Sequence, residues 1–197
     1  MENLILAMVV FAFVGAVTPG PVNLLATTTA VNDGLRAASK HVLGASIAYA
    51  AVVFGTGQMM QTLASTLPKL EFWMQLIGSS FLFYLAYQIF AAPVQGVAVQ
   101  QGQSSGWVTG SLTQILNPKA WLVAMSGVSL YVIGQDNEQY SLLLFTLVSL
   151  LVCVIGVGIW ALIGRVLANR LANPRAHRQF NRFMAMMLCV SVVMIWL

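Results

Sequence analysis

Two short clusters in this chain place helix-breaking residues where chemistry inside a membrane becomes possible. The first is Thr18-Pro19-Gly20-Pro21 with Asn23 just beyond it, and the second is Asn117-Pro118-Lys119. Each interrupts a long apolar run. Proline lacks a backbone donor and clashes with the turn before it, so each cluster should break a helix near the bilayer centre. Pro19 cannot donate to the carbonyl of Gly15, and Pro21 cannot donate to that of Val17. Carbonyls freed in this way must be satisfied by protein, water or ligand. Pro21 suits the first position of a new helix, whose first amides then point back into the break. A half-helix N-terminus favours an anion such as a carboxylate, and freed carbonyls favour a cation such as an α-ammonium. One break can therefore recognise a zwitterion without a charged side chain. A kink that serves packing alone is the plainer alternative, and the pairing of two breaks counts against it.

Lys119 puts a charge where charge is expensive. Three uses are open to it. It can bind a substrate carboxylate, clamp the two breaks by filling the freed carbonyls of the first, or lose its proton and act as a coupling site. Snorkelling is the fourth option, but Lys119 lies about 12 residues into its run, roughly 18 Å of helix, which is a poor position for it. Thr18, Asn23, Thr113, Gln114, Asn117 and Ser126 are polar residues facing the breaks. Tyr84, Tyr87 and Gln88 share one helical face and either line the substrate route or form an interfacial belt. Asp33, near Arg36, Lys40 and His41, is either a gate or part of a solvated ion-pair cluster. His41 and His177 fall in connections by this reading, far from any partner. No carboxylate lies deep in any run. That weakens an Asp/Glu proton relay and argues against a cationic side chain on the substrate.

These residues need long apolar elements to position them. The chain has 197 residues, of which 59% are hydrophobic and 7% charged, against the quarter or so charged in a soluble domain. Mean hydropathy is +0.84. This is the composition of an integral membrane protein. The net charge of +4 does not point to nucleic acid, because five of the nine Lys/Arg fall between Arg165 and Arg182, as in a cytoplasmic anchor. Cys153 and Cys189 lie inside apolar runs and read as packing residues, with no metal-ligand spacing. The apolar start after Met1-Glu2-Asn3 lacks the basic region of a cleaved signal, so the first run is expected in the mature protein.

Six apolar runs can be counted: 4–30, 42–67, 72–92, 107–133, 140–164 and 180–197. Each has about the length of a membrane span, roughly 20 residues. The expected fold is all-α and integral to the membrane, six transmembrane helices in a single domain over 1–197. Residues 1–93 form a first three-helix half, 94–106 a Gly/Gln/Ser-rich linker, and 107–197 a second half. Three spans per half invert the second half against the first, so the broken helices 1 and 4 run antiparallel. The Lys/Arg bias between the two sides is seven (Arg36, Lys40 and the five from Arg165) to one (Lys69), which puts both termini outside the cytoplasm. Gly44, Ala48, Ala51 and Gly55 form a small-residue stripe that reads as helix packing.

The motifs Gly15-Ala-Val-Thr18-Pro19-Gly20-Pro21-Val-Asn23, Asn32-Asp33-Gly34-Leu-Arg36 and His41-Val-Leu-Gly44 resemble the opening of the LysE/RhtB family of amino-acid exporters. Asn117-Pro118-Lys119-Ala120 resembles that family's second motif, and Phe81 to Tyr87 its third span, where the family often has Gly in place of Ala86. The resemblance covers essentially the whole chain. It implies proton-driven export of an amino acid or a close derivative, such as lysine, arginine, homoserine, threonine, leucine, cysteine or O-acetylserine.

Residues and resemblance together lead to a secondary exporter of a small neutral or polar amino acid or derivative in the bacterial inner membrane. Its partners are that substrate, protons and membrane lipids, with a homodimer left open and no nucleic acid. The substrate-binding candidates are Thr18, Pro19, Gly20, Pro21, Asn23, Asn117, Pro118, Lys119 and Tyr84, and the coupling or gate candidates are Lys119 and Asp33. No phosphate loop, metal-ligand cluster or nucleophile–base pair is visible, so no cofactor, metal or catalytic residue is expected. A passive channel, an inorganic-ion exporter on the same scaffold and an intramembrane enzyme are the competing readings.

Overall fold

The computed structural model describes residues 2–62, 67–91, 106–170 and 173–193. Among them every regular element is helical: α1 (Glu2–Val17), α2 (Pro21–Asn32), α3 (Leu35–Thr62), α4 (Leu67–Ala91), α5 (Gly106–Ile115), α6 (Pro118–Tyr131), α7 (Glu138–Arg170) and α8 (Pro174–Val193). Proline opens α2 and α6, as its fixed φ and missing donor favour. Among the described residues two helical stretches, Leu35–Met60 and Glu138–Ala168, are long and apolar enough to cross a membrane; α1 and α2 add a third if the bent pair is one span. The bend between those two is 59°. The expected linker 94–106 lies outside the described residues except for Gly106, which begins α5.

A central core is built by α1, α2, α3, α6 and α7, with Met8, Val53, Val128, Leu142 and Phe145 fully enclosed. A second cluster joins α2 to α4 and α8 through Leu24, Leu25, Leu82 and Leu188. Thus α2 sits between both cores, and all eight residues from Pro21 to Thr28, and Ala30 after them, are buried. The contact of α3 with α5 is backbone on backbone. A Cβ added at Gly110 would lie 2.2 Å from the His41 carbonyl oxygen, and one at Gly44 would lie 2.4 Å from that of Trp107. Small residues permit this approach between apolar helices. The small-residue stripe of α3 divides accordingly: Gly44 and Ala48 are buried, whereas Ala51 is exposed and a Cβ at Gly55 would meet nothing.

Two expectations about histidine are corrected. His41 is not in a connection but fully buried in the second turn of α3, with Nε2 3.2 Å from the Val22 carbonyl. The helix begins at Leu35, well before the apolar run does, and α5 covers its first turns. His177 lies in α8, and its Nε2 is 2.6 Å from Asn32 Oδ1 at the end of α2. Its partial burial lowers its pKa from the ordinary value. The basic stretch is also less of a loop than expected. α7 runs through Arg165 to Arg170 and α8 starts at Pro174, so most of those charges stand on helix ends.

Candidate substrate site at the paired helix breaks

Between Val17 and Pro21 the chain leaves the helix. Gly20 is extended (φ −173°, ψ 178°) and caps α2 with no side-chain hydrogen bond. Any residue adopts that backbone, and a side chain longer than a methyl there would crowd Lys119. A Cβ placed on it would lie 3.4 Å from Lys119 Nζ. The ammonium of Lys119 therefore sits at the N-terminal end of α2, where the helix dipole is positive.

The carbonyls released by the break do not stand open. Asn23 Nδ2 donates to Ala16 O at 2.8 Å and to Thr18 O at 2.9 Å. Lys119 Nζ donates to the same Thr18 oxygen at 3.0 Å. Trp160 Nε1, from α7, donates to Val17 O at 3.1 Å. The Thr18 hydroxyl turns back onto Val14 O. This is the accounting that a membrane interior demands of irregular backbone.

The position of Trp160 follows from small residues on either side of it. A Cβ at Gly156 would lie 2.6 Å from Ala16 Cβ, and one at Gly164 would lie 2.4 Å from Thr27 O. Residues four apart share a helical face, so α7 lays a Gly156–Trp160–Gly164 face across the break. Thr27 Oγ1 completes the contact by donating to Trp160 O at 3.1 Å.

The second break is self-contained. Asn117 is extended, and its side chain accepts from Lys119 N at 3.2 Å, capping α6. Trp121 Nε1 donates to Ile115 O at 2.8 Å. The cap aims α6 so that Lys119 reaches across to Thr18.

Between the two breaks lies a cavity of about 40 Å³, walled by Gly20, Asn23, Gln114, Asn117 and Lys119, with Tyr49 and Cys153 from α3 and α7. That is room for a few waters. Among the described residues no carboxylate belongs to the wall. The local charge is the Lys119 ammonium together with the α2 dipole, and the wall's acceptors include the amide oxygens of Asn23, Gln114 and Asn117 and the hydroxyls of Thr18 and Tyr49.

The family model of the LysE type translocator matches residues 13–196. The chain belongs to the LysE family. It is 26% identical over 191 residues to the cysteine/O-acetylserine efflux protein of Escherichia coli (strain K12), covering 97% of this chain and 94% of that one. It is 25% identical over 186 residues to the protein of the same name from Salmonella typhi, covering 94% of each. No solved structure matches. The protein is a membrane translocator and not an enzyme.

In this translocator Thr18, Gly20, Asn23, Asn117 and Lys119 all wall the cavity, and Pro19, Pro21 and Pro118 shape the breaks around it. Tyr84 is elsewhere. It is 55% exposed on α4, where Gln88 Nε2 donates to its hydroxyl. Asp33 lies at the C-terminal end of α2, with its N–H donating to Thr29 O at 2.8 Å. Desolvation raises its carboxyl above the usual aspartate value, and among the described residues no ion pair ties it to Arg36 or Lys40. Reading the sequence missed Trp160, Tyr49 and Cys153 as neighbours of the site. The Gly-x-x-x-Trp-x-x-x-Gly spacing in α7 was the available signal for the first. A tryptophan with a glycine four residues to either side on an apolar helix asks for a buried acceptor for its N–H.

Proposed function

We propose that this translocator exports a small neutral or polar amino acid, or a derivative of one, across the bacterial cytoplasmic membrane. One observation carries the reading. Lys119 from one break is seated on the Thr18 carbonyl of the other, across a cavity that opens on an uncapped half-helix N-terminus. A carboxylate has two positive partners there, Lys119 and the α2 amides. The efflux names of the relatives agree with this class of substrate, and cysteine and O-acetylserine are the first to try. Among the described residues the wall has no acidic group to balance a basic side chain, which favours neutral substrates.

The proposed arrangement is six spans in two inverted three-helix halves, 1–93 and 107–197, with α1/α2 and α5/α6 as the broken spans and both termini outside. Coupling to protons is proposed at Lys119: deprotonation would release the Thr18 carbonyl and loosen the two breaks from each other.

Everted vesicles should accumulate labelled L-cysteine or O-acetyl-L-serine against a gradient, and a protonophore should abolish the accumulation. Equilibration without accumulation would mean a channel. Cysteines introduced at Ser104 and Asp136 in a Cys-depleted protein should label from opposite sides, and labelling from one side would remove the inverted arrangement.

A further inference from the structure

The cationic pole of the substrate has no obvious place at the first break. The Ala16 and Thr18 oxygens are held by Asn23, Thr18 by Lys119 as well, and Val17 by Trp160. An α-ammonium arriving there would meet acceptors already in use and a positive charge beside them.

The opposite wall offers what the break does not. Gln114, in the last turn of α5, is 7% exposed and walls the cavity. Its Oε1 is buried with no donor. Partnerless buried atoms also occur on His41, Thr56, Thr146, Ser149 and Asn181, but of the described residues in that group only Gln114 belongs to the cavity wall. A buried acceptor left unpaired is unfavourable, and one that persists beside a cavity suits a partner that comes and goes. Asn23 adds to this. Both of its amide hydrogens go to Ala16 and Thr18, so only Oδ1 remains for a ligand.

We infer that Gln114 is the acceptor for the substrate's α-ammonium, with Asn23 Oδ1 as its second acceptor, while the α2 N-terminus and Lys119 hold the carboxylate. The inference rests on the exporter reading and assigns the poles of the substrate within it. Two neutral amides also suit turnover: they orient an ammonium without the attraction that a carboxylate would exert on it. The site should then require a free α-amine and discriminate against the deaminated acid.

Counterflow in proteoliposomes tests this, with reduced L-cysteine as substrate and 3-mercaptopropionate, the same molecule without its ammonium, as competitor. Wild type should bind L-cysteine at least tenfold better than 3-mercaptopropionate. Gln114→Met keeps the volume and removes the acceptor. It should raise the L-cysteine KM about tenfold or more and leave inhibition by 3-mercaptopropionate within about twofold. Gln114→Glu restores an acceptor with a charge and should discriminate at least as well as wild type. An unchanged discrimination ratio in the Met variant would overturn the inference. If the Met variant does not fold, the Glu variant decides, since discrimination below the wild-type ratio overturns it equally. Failure of the wild-type protein to exchange any amino acid of a panel would instead defeat the exporter reading, and this inference with it.

Discussion

The two helix breaks are made by the same residue and end in opposite conditions. At the α5/α6 break the backbone repairs itself within a few residues. Leu116 N bonds Leu112 O at 2.9 Å, Asn117 N bonds Gln114 O at 3.3 Å and Ala120 N bonds Asn117 O at 2.9 Å, with Asn117 as the cap. At the α1/α2 break Thr18 N bonds Val14 O at 3.1 Å and Leu24 N bonds Gly20 O at 3.0 Å, but the carbonyls between them need side chains: Asn23 for Ala16 and Thr18, Lys119 from 101 residues away for Thr18, and Trp160 from 143 residues away for Val17. One break is complete as soon as its own segment folds. The other is complete only when α6 and α7 have docked. A structure assembled by long-range contacts can be altered by whatever competes for them, and a self-capped one cannot. The α1/α2 break thus depends on distant partners, whereas the α5/α6 break caps itself and presents Lys119 to it.

The largest expected effect comes from erasing the α1/α2 break. Replacing Pro19 and Pro21 together by alanine lets a continuous helix satisfy its own carbonyls and removes the α2 N-terminus from the cavity. Export should fall at least a hundredfold while insertion and expression stay near wild type. Gly20→Leu should do the same by pushing Lys119 off Thr18. Gly20→Ala should be mild, because its Cβ would make ordinary contact with Lys119. Pro118→Ala is the control for the contrast. Asn117 still caps α6, so export should fall only several-fold. Vesicle transport normalised to membrane-inserted protein reads all four, and equal losses in the two proline variants would end the distinction between the breaks.

That contrast was only partly legible in the sequence. Proline and glycine act on their own backbone, so both breaks and the helices after them could be placed from local chemistry. The cavity-facing positions of Asn23, Asn117 and Lys119 followed from their distance to a proline. Of what fills the first break, Lys119 on a freed carbonyl was one of the open readings, whereas Trp160 was not among them. Trp160 is one more large residue in an apolar run, and its indole N–H finds Val17 only because two glycines of α7 let that helix approach. His41 misled for a related reason. It precedes the apolar run it belongs to, and what buries it is the close approach of α5 through Gly106 and Gly110. Tyr84 shows the limit of periodicity: its spacing with Gln88 held, but the shared face is exposed on α4.

Lys119 comes next in expected effect, because it is the one side chain that belongs to one break and serves the other. Lys119→Met keeps most of the stem and removes the charge. Lys119→Arg keeps the charge and cannot lose its proton. If the ammonium acts only as clamp and carboxylate partner, Met should reduce proton-driven export and counterflow alike by roughly tenfold to a hundredfold, and Arg should retain part of both. If its proton is the coupled one, both variants should lose gradient-driven export and keep exchange at equal concentration. Measuring the two assays on the same proteoliposomes separates these outcomes. Full activity of the Met variant in both would leave the α2 amides to bind the carboxylate alone.

The smallest effect sharpens the comparison most, because each break contains one asparagine and the two do different jobs. Asn117 contributes an N-cap, and its replacement by alanine costs about 1 kcal/mol as caps do. Asn23 contributes two hydrogen bonds to two carbonyls in a place that is 4% exposed. Its replacement by alanine leaves those oxygens with fewer donors, at about 1–3 kcal/mol for a lost buried partner. Thr18 O would still have Lys119, whereas Ala16 O would lose the side-chain donor it has from Asn23, so the loss falls chiefly on one carbonyl. Thermal unfolding in detergent should therefore show a larger drop for Asn23→Ala than for Asn117→Ala. The double variant Asn23→Ala/Lys119→Met should lose more than the sum of its parts, because each single change leaves Thr18 O one donor and the pair leaves it none. Additive losses there would mean that Thr18 is not a shared node, and that the two breaks are stabilised independently.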